Sequence, residues 1–345
     1  MFNRQARPGA LLNQTDNFIQ LARLVRLDEK PLAVDALTEI NPTDDGALAT
    51  WLSTNFKDQL GSNYLPAYCG FHPASRLLVR ETLNTKRFTE PAYLPGLIAE
   101  HTKAANPREW MIRGLHASEG TVMTVEGVPR PGLLFGVPWD TVREQQERLL
   151  SVGLHPRRLE VGTLCLLGSL GRHLDHSGFV RAVAVCEVEY TQTRVYVLAK
   201  DGVHTMPPLP HGLLSILETA LKELGAPDII AVRQQLEDPP EALKGHGRRL
   251  VRIINRHLKP ALDHFELRTG QRIDTFFCSQ LPTKLEWLGQ ALAASIELDL
   301  AVPNLDSWLS NSGLNVDTGG TTLSSSWLAT LSLVTDLVPP HAQPQ

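Results

Sequence analysis

The stretch VRAVAVCEVEYTQTRVYVLAKDGVHTM, residues 180–206, decides the fold. Residues 180–188 form an apolar, β-branched run, Tyr190, Thr191 and Gln192 a turn, and residues 194–199 a second run. Asp201 and Gly202 then turn the chain into a third run at 203–206. Three such runs separated by turn signals predict an antiparallel meander. A helix follows, with Leu213, Ile216, Leu217, Ala220, Leu221 and Leu224 on one face and with Gly225 and Pro227 ending it. Further on, 273–278 reads as a strand and 284–296 as a helix, while 243–265 gives one or two helices bent or broken near Pro260.

Outward from this stretch, the same order is found at the start of the chain. Residues 10–12, a polar turn at 13–17, residues 18–27 and residues 31–37 predict another meander. Asp44 and Asp45 precede a helix carrying Leu48, Trp51, Leu52, Phe56 and Leu60 at the 3.6-residue period, which Gly61 stops. Residues 65–71 return as a strand. Between 77 and 139, prolines punctuate short apolar runs at 110–115 and 132–137, the pattern of a small inserted α+β subdomain. Asp140 is placed to cap a helix that turns Val142, Leu149, Leu150 and Val152 inward, and Gly153 and Pro156 end it. A second helix is expected at 159–170 and a final amphipathic one at 324–337.

The fold class is therefore α/β, with duplicated β-β-β-α-β lobes. The expected first lobe comprises 1–76 and 152–176, joined by the C-terminal helix 324–338; the insertion is 77–151 and the second lobe 177–323.

A chain of 345 residues exceeds what one core usually fills. With 42% hydrophobic and 20% charged residues it is a folding sequence and not a disordered one. Thirty-three basic against 37 acidic side chains leave a net charge of -4, without the positive field that draws nucleic acid. No apolar run has signal-peptide length and none approaches a membrane span, so a soluble, unsecreted chain is expected. Cys69, Cys165, Cys186 and Cys278 are widely separated, lack a C-x-x-C pair and read as reduced core residues.

The element order, with Gly153-Leu154-x-Pro156 before the second half and Leu209-Pro210-His211-Gly212 after its meander, resembles the actin-like (ribonuclease H-like) superfamily. Within it the chain is similar to the PilM proteins of type IV pilus assembly and to related actin-like domains of type II secretion. Nucleotide-binding members hold phosphates and metal on two hairpin turns, the second Asp-Ile-Gly-x-x-x-Thr, and adenosine on a Gly-Gly turn. Laid on this chain the second turn runs from Glu187 to Thr193: Glu187 is acidic and Thr193 matches, but Glu189 replaces the glycine. A carboxylate about 4 Å from another negative charge costs on the order of 4 kcal/mol at an effective dielectric near 20, so phosphate is expected to be repelled. At the first turn Leu12 falls where the aspartate belongs and Gln14 at the glycine, with Asp16 still able to touch a cation. Ser279 and Gln280 stand where the Gly-Gly pair is expected.

The resemblance implies a scaffold without catalytic residues, cofactor or metal, which binds the cytoplasmic N-terminal segment of a PilN-like single-span membrane protein. It would lie in the cytoplasm, peripheral to the inner membrane through that partner, without inserting itself and without nucleic acid. An assembly ATPase and further copies of the chain are additional partners the resemblance implies. The groove for the segment is expected between residues 65–77 and the insertion at 77–151. The alternative is an actin-like ATP-binding protein or ATPase, with Glu187, Thr193 and Asp16 holding Mg-ATP between the lobes. A cell-division anchor of FtsA type is disfavoured, because residues 338–345 lack a basic amphipathic membrane helix.

Other motifs have blander readings. Asp317-Thr318-Gly319-Gly320-Thr321-Thr322 spells a phosphate loop but leads straight into the last helix, where a capping turn or linker is expected. Arg248, Arg252 and Arg256 form a basic stripe beside Leu250, Val251, Ile254 and Leu258, by default a solvated face and otherwise a dock for an acidic partner. His173, His176, His246, His257 and His264 show no metal-binding spacing, and no nucleophile has a catalytic signature. Trp110 and Trp139 are expected in the core of the insertion.

Overall fold

The computed structural model describes residues 8–26, 32–57, 64–125, 128–176, 181–317 and 323–335. In the first lobe β1 (Gly9–Gln14), β2 (Ile19–Arg26) and β3 (Leu32–Ile40) form an antiparallel meander. Helix α1 (Asp45–Asn55) crosses to β4 (Leu65–Phe71), which pairs parallel to β1. Asp44 caps α1 by accepting the Ala47 N–H, the role its position predicts. The helix ends at Asn55, short of the expected Leu60, and the expected stop at Gly61 lies outside the described residues.

The chain then forms a separate three-stranded sheet. Its strands β5 (Leu77–Leu83), β6 (Trp110–His116) and β7 (Arg130–Pro138) are ordered β5-β7-β6, with α2 (Tyr93–His101) packed on them. Helix α3 (Trp139–Ser151) leads to β8 (Leu154–Val161), parallel to β4, and then to α4 (Gly162–His176). Two expectations are corrected here. Asp140 is not the cap of α3: Pro138 occupies that place and Asp140 lies in the first turn, where its charge favours the helix dipole. The second helix starts at Gly162 and not near 159, because residues 154–161 are an edge strand. Edge strands carry polar residues and prolines without losing ladder bonds, so this one lacks the apolar signature of a central strand.

The second lobe repeats the plan with β9 (Ala182–Val188), β10 (Thr193–Ala199) and β11 (Gly202–Thr205) antiparallel. Helix α5 (Leu213–Leu224) spans the residues its pattern predicts and stops at Gly225, whose φ of 62° is the left-handed conformation glycine adopts without strain. After it come α6 (Ile229–Glu237), α7 (Glu241–Lys244), α8 (Gly247–Leu250) and α9 (Arg252–Thr269). The break falls at Val251 and not at Pro260, which sits inside α9 on its exposed side. Burial of Ile254, Leu258, Leu262 and Phe265 holds that helix through the proline. Strand β12 (Ile273–Ser279) pairs parallel to β9, α10 (Trp287–Ile296) follows, and β13 (Asp299–Leu300) pairs parallel to β12. The chain closes with α11 (Leu305–Ser312), β14 (Asn315–Val316) beside β3, and α12 (Leu328–Ser332).

The two large sheets have one topology: β3-β2-β1-β4-β8 in the first lobe and β11-β10-β9-β12-β13 in the second, with β14 added to the first. Each lobe thus has a fifth strand beyond the β-β-β-α-β order read from the sequence. The inner sheet faces share one hydrophobic core: Leu11, Tyr68 and Val161 pack in the same cluster as Val183, Tyr196 and Phe277, with Leu331 of α12 among them. Separate outer cores lie under α1 in the first lobe and under α5, α9 and α10 in the second. All four cysteines are free. Because Phe277 is 1% exposed within the shared core, Phe277→Ala is expected to lower unfolding free energy by about 3–5 kcal/mol. Urea denaturation followed at both lobes checks this, and one common transition is expected.

Candidate functional site: the cleft between the lobes

The first turn, residues 15–18, is closed by its own side chains. Thr15 Oγ1 donates to the Phe18 carbonyl at 3.1 Å and accepts from the Asn17 and Phe18 N–H groups at 3.1 and 3.0 Å. The turn is also tied to the second lobe. Asn17 Nδ2 donates to the Val188 carbonyl at 2.8 Å and the Gln280 carbonyl at 2.7 Å, and Arg233 Nη2 donates to the Asn17 carbonyl at 3.1 Å.

Arg76, from the loop between β4 and β5, enters the second turn. Its Nη2 lies 2.7 Å from Glu187 Oε2 and also contacts Glu189 Oε1, and the side chains of Arg76 and Glu187 are both fully buried. Arg194 Nε donates to Glu189 Oε1 at 3.0 Å, and its two Nη atoms reach the Arg76 and Ala74 carbonyls at 3.2 and 2.6 Å. Gln192 Nε2 donates to Glu189 Oε2 at 2.6 Å, and Thr163 Oγ1 of α4 donates to Glu187 Oε2 at 2.9 Å. Two carboxylates and two guanidiniums therefore form a compensated cluster out of water, which is how proteins tolerate buried charge. Burial works against the Arg76 charge, but Glu187, Tyr196 and Glu189 outweigh it and push its pKa above the usual arginine value.

A third lobe-to-lobe contact runs through His72. Its Nδ1 accepts from Gln280 Nε2 at 2.8 Å, so Nε2 carries the proton and donates to Asn13 Oδ1 at 3.2 Å in a neutral ring. Burial and the Arg76 charge lower the His72 pKa to about 3. The ring rests on Gly162, where an added Cβ would sit 2.1 Å from Nε2. Gln280 itself has a φ of 63°, the left-handed conformation of the expected glycine turn, now kept by a residue with a side chain.

The structure thus gathers Asp16, Glu187, Glu189, Thr193, Ser279 and Gln280 at one cleft. Thr193 Oγ1 is committed to the His211 carbonyl at 2.7 Å. Asp16 is exposed at the turn, and local desolvation of its carboxyl with the nearby Glu189 raises its pKa. Leu12 is not in the cleft: it pairs with Leu21 and packs in the outer core of the first lobe, while its neighbour Asn13 reaches His72. Gln14 accepts from Gln145 Nε2 of α3 at 3.0 Å. Arg76, Arg194, His72 and Asn17 escaped the sequence reading; the signal was two glutamates on one turn, which require cations that local sequence does not name.

Beside this cleft, Ser75 Oγ lies 3.4 Å from Thr141 Oγ1, two residues along α3 from Trp139. Trp139 is 48% exposed, which corrects the core position the sequence predicts for it: it occupies the first turn of α3, just past the end of the central strand β7. Trp110 does pack into the insertion's core. Among the described residues no cluster of three or more metal-ligating side chains is present, and no helix is long and apolar enough to cross a membrane. Asp317 follows β14, while residues 318–322 of the glycine-rich motif lie outside the described residues, as does the His176 side chain. His257 and His264 are exposed.

Removing one partner from a compensated buried cluster leaves a naked charge, so Arg76→Ala is expected to cost about 3–5 kcal/mol of stability in denaturant titrations. Combining it with Glu187→Gln, which leaves the Glu189–Arg194 pair in place, should restore a large part. His72 also makes stability depend on pH. The unfolded chain binds a proton near pH 6.5 that the folded chain refuses down to about pH 3, so stability falls as pH drops through that window, by up to about 1.4 kcal/mol per unit. His72→Gln should flatten this slope in urea titrations across the same range.

No family model matches the sequence, and no curated protein is detectably similar to it. Solved structures do resemble the fold. A chain of the PilM-PilN type IV pilus biogenesis complex superposes with a TM-score of 0.66 at 15% identity, covering 96% of this chain and 99% of that one. The ethanolamine utilization protein EutJ from Carboxydothermus hydrogenoformans gives 0.48 at 10% identity over 96% and 90% of the two chains. An actin-like ATPase-fold protein of Bacteroides thetaiotaomicron gives 0.46 at 8% over 97% and 98%. Scores below 0.5 add nothing to the assignment. Two β-sheets that share a five-strand order about one cleft, together with the whole-length superposition on the pilus-complex chain, give this chain the actin-like α/β fold.

Proposed function

We propose that this chain is a non-catalytic scaffold of a type IV pilus-like assembly complex, held at the inner membrane by the cytoplasmic N-terminal segment of a PilN-like membrane protein. The observation that carries the proposal is the Arg76–Glu187–Glu189–Arg194 cluster, which pairs the charges of the second turn with the chain's own arginines. Magnesium-nucleotide does not fit these residues. Glu189 is already paired with Arg76 and Arg194, which leaves neither guanidinium free for a phosphate, Thr193 Oγ1 donates to a backbone carbonyl, and the Asn17 and Phe18 N–H groups are held by Thr15 Oγ1. The similarity to the PilM-PilN complex chain supports the choice of partner. The half-exposed Trp139, where the insertion meets the loop after β4, supplies the kind of aromatic anchor that dominates peptide binding.

Two measurements test this reading. Millimolar Mg-ATP is expected to leave the thermal midpoint unmoved, and a rise of several degrees would replace the scaffold with an ATP-binding protein. A synthetic peptide from the cytoplasmic segment of a single-span membrane protein encoded next to this chain is expected to bind. Trp139→Ala should weaken that binding about tenfold or more, without changing the fold.

A further inference from the structure

Four arginines, Arg248, Arg249, Arg252 and Arg256, lie exposed on α8 and the first turns of α9. Their spacing of three and four residues sets them on one outward surface about 12 Å long, while Leu250, Val251, Ile254 and Leu258 point into the second lobe's core. Close packing fixes that orientation: a Cβ on Gly247 would sit 2.9 Å from Ala291 and 3.2 Å from Trp287 of α10. Among the described residues these four side chains form no ion pair. The nearby acids are taken by lysines, Glu241 by Lys244 at 2.7 Å and Glu297 by Lys259 at 3.9 Å. Arg252 opens α9, whose first turn has no acidic residue, so its charge lies at that helix's positive end. A cation there opposes the helix dipole, so the charge of Arg252 does not serve α9.

We infer that this arginine surface docks an acidic segment of a partner protein. Arginine pairs carboxylates two bonds at a time, and four arginines over about 12 Å match a short run of Asp and Glu side chains. A membrane is a poorer fit. Apart from these four, 29 basic side chains face 37 acidic ones, so a broad anionic surface would repel the rest of the molecule. Single-stranded RNA is poorer still, because α8 and α9 expose no Phe, Tyr or Trp between the arginines for bases to stack on. The inference is independent of the proposed pilus role, since this surface lies on the second lobe's helices and involves neither the cleft nor Trp139.

The test titrates the full chain with a fluorescent Asp/Glu-rich twelve-residue peptide, with phosphatidylglycerol vesicles and with single-stranded RNA, each at low and moderate salt. The expected result is salt-sensitive peptide binding that falls roughly tenfold in Arg248→Gln/Arg252→Gln/Arg256→Gln, while Arg272→Gln elsewhere on the surface binds as the parent does. Glutamine is as good a helix former as arginine, so the triple variant should keep or raise the thermal midpoint. Absence of peptide binding, binding undiminished in the triple variant, or tighter binding to vesicles or RNA than to the peptide would each overturn the inference.

Discussion

Glu187 and Glu189 project from one turn into a space closed to water, and Arg76 reaches them from the other lobe. Two carboxylates so close repel by several kcal/mol in a low-dielectric setting, and neither can be left unpaired. Arg76 and Arg194 remove that repulsion, and in doing so they fix where the loop after β4 sits against the second lobe. His72, Asn17, Thr163 and Gln280 then complete hydrogen bonds that exist only at this separation of the lobes. The shared hydrophobic core beneath, running from Leu11 to Phe277, acts in the same direction. These contacts, which come from residues of both lobes, hold the lobes together at the cleft.

The insertion adds a second fastening. Arg80 of β5 holds the Val203 carbonyl at 3.0 Å and Asp201 Oδ2 at 2.8 Å, and the Val203 N–H donates to the Ala117 carbonyl at 2.8 Å. Gly202 makes this approach feasible, since a Cβ there would meet the Ala117 carbonyl at 2.4 Å. Asp201 also accepts from Gln271 and His204, and these bonds outweigh burial to bring its pKa to about 2. The inserted sheet therefore bridges both lobes, covering the outer edge of β11 that would otherwise be open.

Legibility in the sequence followed burial pattern closely. The meanders and α5 could be read because each alternates or repeats toward one core, and the turn residues Asp201-Gly202 and Gly225 mark their ends. Strand β8 and the two-residue β13 could not, because an edge strand's polar residues and a very short pairing carry no periodic signal. The Pro260 break was misplaced for the converse reason: four buried side chains along α9 outweigh a local rule. Leu12 and Gln14 share a strand face that leads to the outer core and to α3, while Asn13 between them reaches His72, because a slip of one residue in a strand reverses its face.

By itself the sequence determined the α/β class, the repeated meander, the inserted region and the presence of side chains, Glu189 and Gln280, at two turns. Those are local properties, set by periodicity, turn chemistry and side-chain charge. Only the tertiary structure decided which cations answer Glu187 and Glu189, because Arg76 is 111 residues from Glu187 along the chain and 2.7 Å away in space. It alone exposed Trp139 and left the α8–α9 arginines uncompensated, since a charge's partner and a ring's exposure depend on what other elements bring to them, and no spacing along the chain encodes that.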